Sequence, residues 1–442
     1  MSFLTSKSYN PGDVIYEEKP FIRVLKRDLW DKICAGCCAK STGLKKCSGC
    51  SVMKYCGKSC QKNDWPDHKL ECPYLRNYTD FRNKDIVHMI GKLILKLKGK
   101  DWKTAASRIF DVEVSFDDLL SQADHGLQNL SFEVLDITTS LESYIGKENV
   151  PDKEILKELY GKVTNNSFEF YGGKYPFGNG FENIFGKDHR AMTIKGGSAL
   201  FLGASKLDHS CVPNAVYHPT GASITVRAIR TIKKFEKVTV PYTNMITNAD
   251  APLVHEYVTK FKFREKCYCS DCSQVPGESK LTKILDASKA FGVILETDMA
   301  LQLPSMLPIN YPNPIVDREY LKHLLKRQDK ALGRTHLRRM QTLAKLYSPE
   351  QPELSKEEMR AGIVELTECM KEVFGEYHPE LALYYRSLAN INMQLGNEKE
   401  AREYCFKVSR LEYVNYGAFF HGEGWEDTLS ENQFRHFMEK RS

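Results

Sequence analysis

Hydrophobic and polar positions change their period several times along the chain, and each change predicts a different element. Residues 12–25, Gly-Asp-Val-Ile-Tyr-Glu-Glu-Lys-Pro-Phe-Ile-Arg-Val-Leu, read as a turn, a short strand, a break at Pro20 and a second strand. Ile86, Val87, Ile90, Leu93, Ile94 and Leu97 recur at helical spacing. The stretch 85–165 therefore reads as helical, with Ser115 and Asp118 as an N-terminal cap before Leu119 and Leu120. Gly172, Gly173, Gly178, Gly180 and Gly186 mark 172–190 as a loop. Its Gly178-Asn179-Gly180 follows no clear strand, so no cofactor is assigned to it. Residues 223–229 and 237–242 are rich in β-branched side chains and flank a turn at 233–236; they are expected to pair as strands, leaving Tyr242 at a strand end. From about residue 277 the pattern becomes long amphipathic helices, broken by a connector containing Pro304, Pro308, Pro312 and Pro314. Within 378–416, Leu388, Ala389, Gly396, Ala401, Cys405 and Val408 have helix-turn-helix spacing. The tyrosines of that stretch, Tyr384, Tyr385, Tyr404 and Tyr413, read as core or groove lining.

A chain of 442 residues holds several domains and a substantial core. No apolar run approaches a membrane span and the first residues lack the apolar segment of a secretory signal, so the expectation is a soluble intracellular protein. In that setting the sequons at Asn77, Asn129 and Asn165 are chance matches. The fourteen cysteines then point to metal ligation rather than disulfides. Cys38, Cys369 and Cys405 fall outside any cluster, the last two reading as small apolar groups.

From Cys34 to Cys72 the pattern is Cys-x2-Cys-x9-Cys-x2-Cys-x5-Cys-x3-Cys-x7-His-x3-Cys, eight ligands for two tetrahedral zinc sites. The two-residue gaps let paired thiolates of a tight turn reach one metal. Cys56 with Cys60, and His68 with Cys72, have the i, i+4 spacing that projects both side chains from one helix face. Four pairs suggest interleaving: Cys34, Cys37, Cys56 and Cys60 on one zinc; Cys47, Cys50, His68 and Cys72 on the other. Residues 26–69 carry ten Lys or Arg against four Asp or Glu, which invites a nucleic-acid reading. The thiolates weaken it, because two such zinc sites contribute about −3 in total.

The segment Leu207-Asp-His-Ser-Cys-Val-Pro-Asn-Ala215 concentrates polar groups. Asp208, His209 and Ser210 are contiguous, so their side chains diverge and cannot form a catalytic relay. Cys211 has no close cysteine neighbour, whereas Cys267, Cys269 and Cys272 form a three-thiol cluster lacking a fourth ligand. If these four hold a third zinc, the formal +6 of the chain falls to about +1, which does not favour nucleic acid as the main partner.

Together these parts resemble a known order. The cross-brace at 34–72 looks like a MYND zinc finger, His209-Ser210-Cys211-Val212-Pro213-Asn214 resembles the Asn-His-Ser-Cys-x-Pro-Asn signature of SET methyltransferases, and Cys267-x-Cys269-x2-Cys272 is similar to a post-SET cluster. A MYND finger inserted into a SET domain and followed by a tetratricopeptide-like helical domain resembles the SMYD family over nearly the whole chain. The resemblance implies an α+β fold, a β-rich SET domain split by the finger and a helical insert. Its expected boundaries are 1–30 for the N-terminal part of the SET domain, 34–72 for the finger, 73–190 for the insert, 191–245 for the C-terminal SET core, 246–276 for the post-SET zinc region and 277–442 for the tetratricopeptide-like domain.

The resemblance further implies a protein-lysine N-methyltransferase that uses S-adenosylmethionine and acts on histone or non-histone lysines. Carried over by motif, cofactor contacts fall on Asn166, Asp208 and His209, the methyl-transfer role on Tyr242 in Val-Pro-Tyr, and the third zinc on Cys211, Cys267, Cys269 and Cys272. Expected partners are protein substrates and proline-rich peptides on the finger, with a monomer in cytoplasm and nucleus and no membrane association. Three positions depart from the family. Met1 to Asn10 hold no glycine where a Gly-x-Gly-Leu segment is expected, so the N-terminal part reads as truncated. Asp208 replaces an asparagine, exchanging amide donors for a charged acceptor. Phe261-Lys262-Phe263-Arg264-Glu265-Lys266-Cys267 replaces a Tyr-x-Phe-x-Cys-x-Cys run. The alternative is a catalytically impaired adaptor that binds partners through its finger and helices.

Overall fold

A computed structural model describes residues 4–78, 84–99, 106–109, 112–121, 130–172, 194–243, 245–246, 269–273, 278–306, 318–348 and 354–417. The chain folds into two compact units that alternate along the sequence. One takes residues 1–6, 14–207 and 217–226; the other takes 7–13, 208–216 and 227–442.

In the first unit, Val14–Glu18 (β1) and Ile22–Leu25 (β2) flank Pro20, as the pattern predicts. Strand β2 enters a three-stranded antiparallel sheet with Ser167–Gly172 and Ile194–Leu200, Val24 lying opposite Ser198 and Leu200 opposite Ser167. A second three-stranded sheet orders β1, Ile224–Ala228 and Ala215–Pro219; of the last two strands, residues 224–226 and 217–219 belong to this unit. The finger contributes a hairpin, Lys45–Lys46 with Lys54–Tyr55, and the helix Lys58–Glu71 (α1). Helices Lys84–Leu97 (α2), Leu130–Ile145 (α3) and Lys153–Asn166 (α4) follow. The apolar stripe of α2 faces the core, with Val87, Ile90, Leu93 and Ile94 buried.

Two expectations fail inside this unit. Residues 85–165 are not helical throughout, because Ala106–Ile109 and Val112–Ser115 pair as an antiparallel hairpin. The alternation in Val-Glu-Val-Ser carries that signal, with Val114 buried and Glu113 exposed. Asp118 does accept from the Ser115 backbone N–H at 2.7 Å, but the bond closes a turn after the hairpin, and no helix begins there.

In the second unit, Asp208–His209 (β3) pairs in parallel with Thr239–Val240 (β4). The expected pairing of 223–229 with 237–242 is therefore corrected: Ile224–Ala228 joins the β1 sheet instead, although the turn at 233–236 forms, with Glu236 N–H donating to Lys233 C=O at 3.0 Å. Ala287–Met306 (α5), Arg318–Ala331 (α6), Leu337–Leu346 (α7), Lys356–Phe374 (α8), Leu381–Gln394 (α9) and Glu398–Tyr416 (α10) build the helical part. Pro304 lies inside the last turn of α5 rather than in a connector; the other three prolines lie outside the described residues. Helices α9 and α10 form the expected helix-turn-helix, with Leu388, Ala389 and Ala401 in its core and Gly396 at φ +78° in its turn. Cys369 and Cys405 are buried as apolar groups. Among the described residues no helix is long and apolar enough to cross a membrane.

Candidate functional site

The finger brings its eight ligands into the two expected sets. In each of the groups Cys34, Cys37, Cys56, Cys60 and Cys47, Cys50, His68, Cys72, all candidate ligand atoms lie within 4.8 Å of one another. Sulfur separations of 3.9 Å for Cys37 with Cys56 and for Cys47 with Cys72 match the roughly 3.8 Å edge of a tetrahedron with Zn–S near 2.3 Å. Helix α1 sets the spacing: Cys60 sits in its first turn, His68 in its last, and Cys72 caps it, its N–H donating to His68 C=O at 2.8 Å. Cys56 precedes the helix rather than sharing its face with Cys60, and its N–H donates to Cys34 Sγ at 3.3 Å.

Both Cys-x2-Cys turns require glycine before the second cysteine. A Cβ on Gly36 would stand 2.6 Å from Cys60 C=O, and one on Gly49 would stand 2.8 Å from Cys72 Sγ. The residue after each turn, Cys38 or Ser51, takes a left-handed φ of 60° or 61°.

The electrostatics fit a dication. At Cys50, burial is overcome by hydrogen bonds from His68 and from backbone N–H groups, and the thiol is lowered to about 6. Burial and the charges of Cys50 and Cys47 push Cys72 up to about 12. Three buried thiolates beside an imidazole cannot all be charged without a cation among them, and zinc supplies that charge. In the second set, His68 turns Nε2 to Cys50 Sγ at 3.6 Å, leaving Nδ1 facing Glu71 Oε1 at 3.5 Å.

Glu71 is a feature that spacing arguments miss. It is 2% exposed, yet Lys92 Nζ lies 2.9 Å from Oε1, His88 Nε2 lies 2.8 Å from Oε2, and the Tyr144 hydroxyl donates to Oε2 at 3.4 Å. Burial alone would raise its pKa, but Lys92 and His88 outweigh burial and hold the carboxyl well below the usual range. A carboxylate that orients the far nitrogen of a ligating imidazole fixes its tautomer. Here the same carboxylate also ties the finger to α2 and α3.

The 207–215 segment resolves into separate contacts. His209 is buried, and its Nδ1 accepts from Tyr242 N–H at 3.1 Å. A neutral ring that accepts at Nδ1 carries its proton on Nε2, which faces Cys211 Sγ at 3.4 Å. Asp208 Oδ2 pairs with Lys237 Nζ at 2.8 Å, and Ser210 Oγ accepts from Val212 N–H at 3.1 Å. The three residues thus face different partners and form no relay. Asn214 braces the segment from behind, accepting from Thr239 N–H at 2.9 Å and donating to Lys237 C=O at 2.8 Å. Its Pro-Asn signal is legible as a turn but not as this brace.

At the end of α4, Asn166 donates both amide hydrogens, to Leu120 C=O at 2.9 Å and Lys162 C=O at 2.7 Å. What it can offer a ligand is its side-chain oxygen. Cys211 and Cys269 are buried, whereas Cys267 and the side chain of Cys272 lie outside the described residues.

Residues 34–72 match the MYND finger family. The chain is 26% identical over 266 residues to the histone-lysine N-methyltransferase SMYD3 of Mus musculus, covering 59% of this chain and 55% of that protein. It is 25% identical over 280 residues to the N-lysine methyltransferase SMYD2-A of Danio rerio, with 62% and 58% covered. It is 27% identical over 275 residues to the histone-lysine N-methyltransferase ASHR1 of Arabidopsis thaliana, with 62% and 52% covered. The matches span a little over half the length of these relatives. The chain therefore carries a MYND finger and is similar over about 60% of its length to proteins named as SMYD and ASHR1 lysine methyltransferases.

Proposed function

We propose that this protein is an S-adenosylmethionine-dependent protein-lysine N-methyltransferase acting on histone or non-histone proteins in cytoplasm and nucleus. The supporting observation is the His209 bond to the Tyr242 backbone: the main chain of a tyrosine just beyond a strand end is held by the imidazole of the signature segment. The resemblance assigns cofactor contacts to Asn166, Asp208 and His209, and a side-chain amide oxygen and a carboxylate are acceptors of the kind an amino-acid ammonium needs. When bound, the cofactor supplies a methyl group on a sulfonium, which a neutral lysine amine takes by in-line displacement, the S–C electron pair returning to sulfur. The protein's share is alignment and exclusion of water. In this reading Tyr242 lines the point of transfer, and the ammonium proton formed on the lysine leaves to solvent. Cys211, Cys267, Cys269 and Cys272 hold a third zinc, and a Cys211 thiolate would accept from His209 Nε2–H. Residues 191–245 complete the SET core, and 277–442 form the tetratricopeptide-like domain.

Zinc-loaded protein incubated with radiolabelled cofactor and a protein array tests the proposal. Transfer is expected, with Tyr242→Phe losing at least about tenfold in rate while calorimetric cofactor binding persists. Wild-type protein that transfers no methyl group and binds no cofactor would overturn it.

A second reading, an adaptor on a methyltransferase scaffold, draws on the Asp208–Lys237 pair, which ties up the carboxylate standing where the family has an amide. Trp65, 45% exposed on α1, gives that adaptor a ring on which a proline-rich peptide can stack. Loss of all cellular effect in Tyr242→Phe would count against the adaptor.

A further inference from the structure

The segment just beyond Tyr242 is gripped by two helices of the same unit. Glu380, the residue before α9, is 3% exposed, and its two carboxylate oxygens accept from consecutive backbone N–H groups: Oε1 from Met245 at 3.0 Å and Oε2 from Ile246 at 3.2 Å. From α7, buried Gln341 donates Nε2–H to Met245 C=O at 2.8 Å. Met245 and Ile246 are themselves buried. Upstream, Tyr242 N–H is held by His209, and Ser210 N–H donates to Val240 C=O at 3.1 Å. Tyr242 therefore lies between two fixed points, the parallel β3–β4 pair on one side and the Glu380–Gln341 grip on the other. Three residues of chain span at most about 10 Å, so this second anchor restricts where the tyrosine can go.

We propose that Glu380 and Gln341 are positioning residues for Tyr242, so that the C-terminal helices set the geometry of methyl transfer without touching substrate. The proposal rests on the methyltransferase reading. A carboxylate is the group this grip requires, because it presents acceptors to both N–H groups. A carboxamide presents one acceptor and turns a donor on the other N–H, leaving that amide unsatisfied in a buried site. Anchoring from two sides also limits each residue's share: removing Gln341 frees the Met245 carbonyl, and replacing Glu380 frees an amide, so either change loosens the same short segment.

The test compares full-length zinc-loaded wild type, Glu380→Gln and Gln341→Ala. It reads amide hydrogen exchange at Met245 and Ile246, the dissociation constant for S-adenosylmethionine, and kcat and KM for an unmethylated protein that the array identifies as a methyl acceptor. Backbone bonds to a charged acceptor carry roughly ten- to hundredfold in an equilibrium constant, so protection of those amides should fall about tenfold or more in Glu380→Gln. The expected kinetic result is kcat reduced about tenfold in that variant, with cofactor affinity and KM changed less than about threefold. Gln341→Ala, which keeps the carboxylate, should move both readouts in the same direction by less, and it carries the test if Glu380→Gln does not fold. Unchanged exchange at the two amides, or lost protection with wild-type kcat, overturns the positioning role alone. Wild-type protein that binds no cofactor and transfers no methyl group overturns the methyltransferase reading and the positioning role with it.

Discussion

Replacing Glu71 by glutamine keeps the side-chain volume and one acceptor but removes the charge that Lys92 faces. At 2.9 Å and an effective dielectric near 20, the gross attraction between the two is about 6 kcal/mol. Desolvation offsets part of that in the intact pair, and removing one partner of a buried pair costs about 3–5 kcal/mol because the other charge is left alone. Lys92 would lose its counter-charge and His88 Nε2 the carboxylate oxygen 2.8 Å away, so the upper half of that range is the expectation for Glu71→Gln. The second zinc site should also weaken, since losing the partner of a ligating histidine typically costs 10- to 100-fold in metal affinity. Urea unfolding of the zinc-loaded protein measures the first effect, and zinc release to a chromogenic chelator measures the second. Adding Lys92→Met removes the stranded ammonium, and the double variant should recover about 2 kcal/mol relative to the sum of the singles. Additivity within about 0.5 kcal/mol, together with unchanged zinc release, would refute the idea that one carboxylate serves both finger and insert.

Gly91→Ala sets helix propensity, which favours alanine by about 1 kcal/mol, against a Cβ placed 2.6 Å from the Tyr144 ring. Tyr144 is fully buried and cannot withdraw, so a net loss of about 1–3 kcal/mol is expected in urea midpoints. His378, stacked on Phe374 with centroids 4.6 Å apart, is depressed to about 3 by burial and by Arg230. Below pH 6.5 the unfolded chain binds a proton that the folded protein refuses, so stability falls as pH falls, by up to about 1.4 kcal/mol per unit down to about pH 3. In His378→Phe the stability difference from wild type should therefore change with pH between 6.5 and 4.5, and parallel profiles would sink the assignment. Asp208→Asn frees Lys237 and restores an amide, and calorimetry should find tighter S-adenosylmethionine binding than in wild type.

The finger was legible because zinc ligands are local and chemically distinctive: each pair closes a turn or a helical step, and the spacing alone assigns both tetrads. The strands around Pro20 were legible for the same reason, since proline and alternation act within a few residues. What escaped depends on partners far along the chain. Thr239–Val240 looked suited to Ile224–Ala228 across a turn, but β pairing is decided by the surface available, and Asp208–His209 took that edge in parallel. The pairing of Ala106–Ile109 with Val112–Ser115 is hard to read from sequence because two four-residue strands leave little periodicity to count. Glu71 reads as filler between His68 and Cys72 until Tyr144, 73 residues on, is placed beside it. Glu380 likewise follows His-Pro at a helix start, where an acidic residue is ordinary, and its partners are 134 and 135 residues upstream.

The interleaved ligand sets also fix a timetable for synthesis. The first tetrad is complete when Cys60 is made and the second when Cys72 follows, whereas strand β2 waits for Ile194–Leu200 before any residue of its sheet partner exists. At about 5–20 residues per second, that wait is on the order of ten seconds. During it the nascent chain carries a metal-closed knot immediately behind an unpaired apolar strand, Ile-Arg-Val-Leu. Arg23 on that strand already has local partners, the Ala35 and Gly36 carbonyls at 2.8 and 2.7 Å and Asp64 at 3.0 Å. The finger can therefore hold the strand while the ribosome makes the rest of the sheet, and zinc supply during translation becomes a determinant of how much of the chain escapes aggregation.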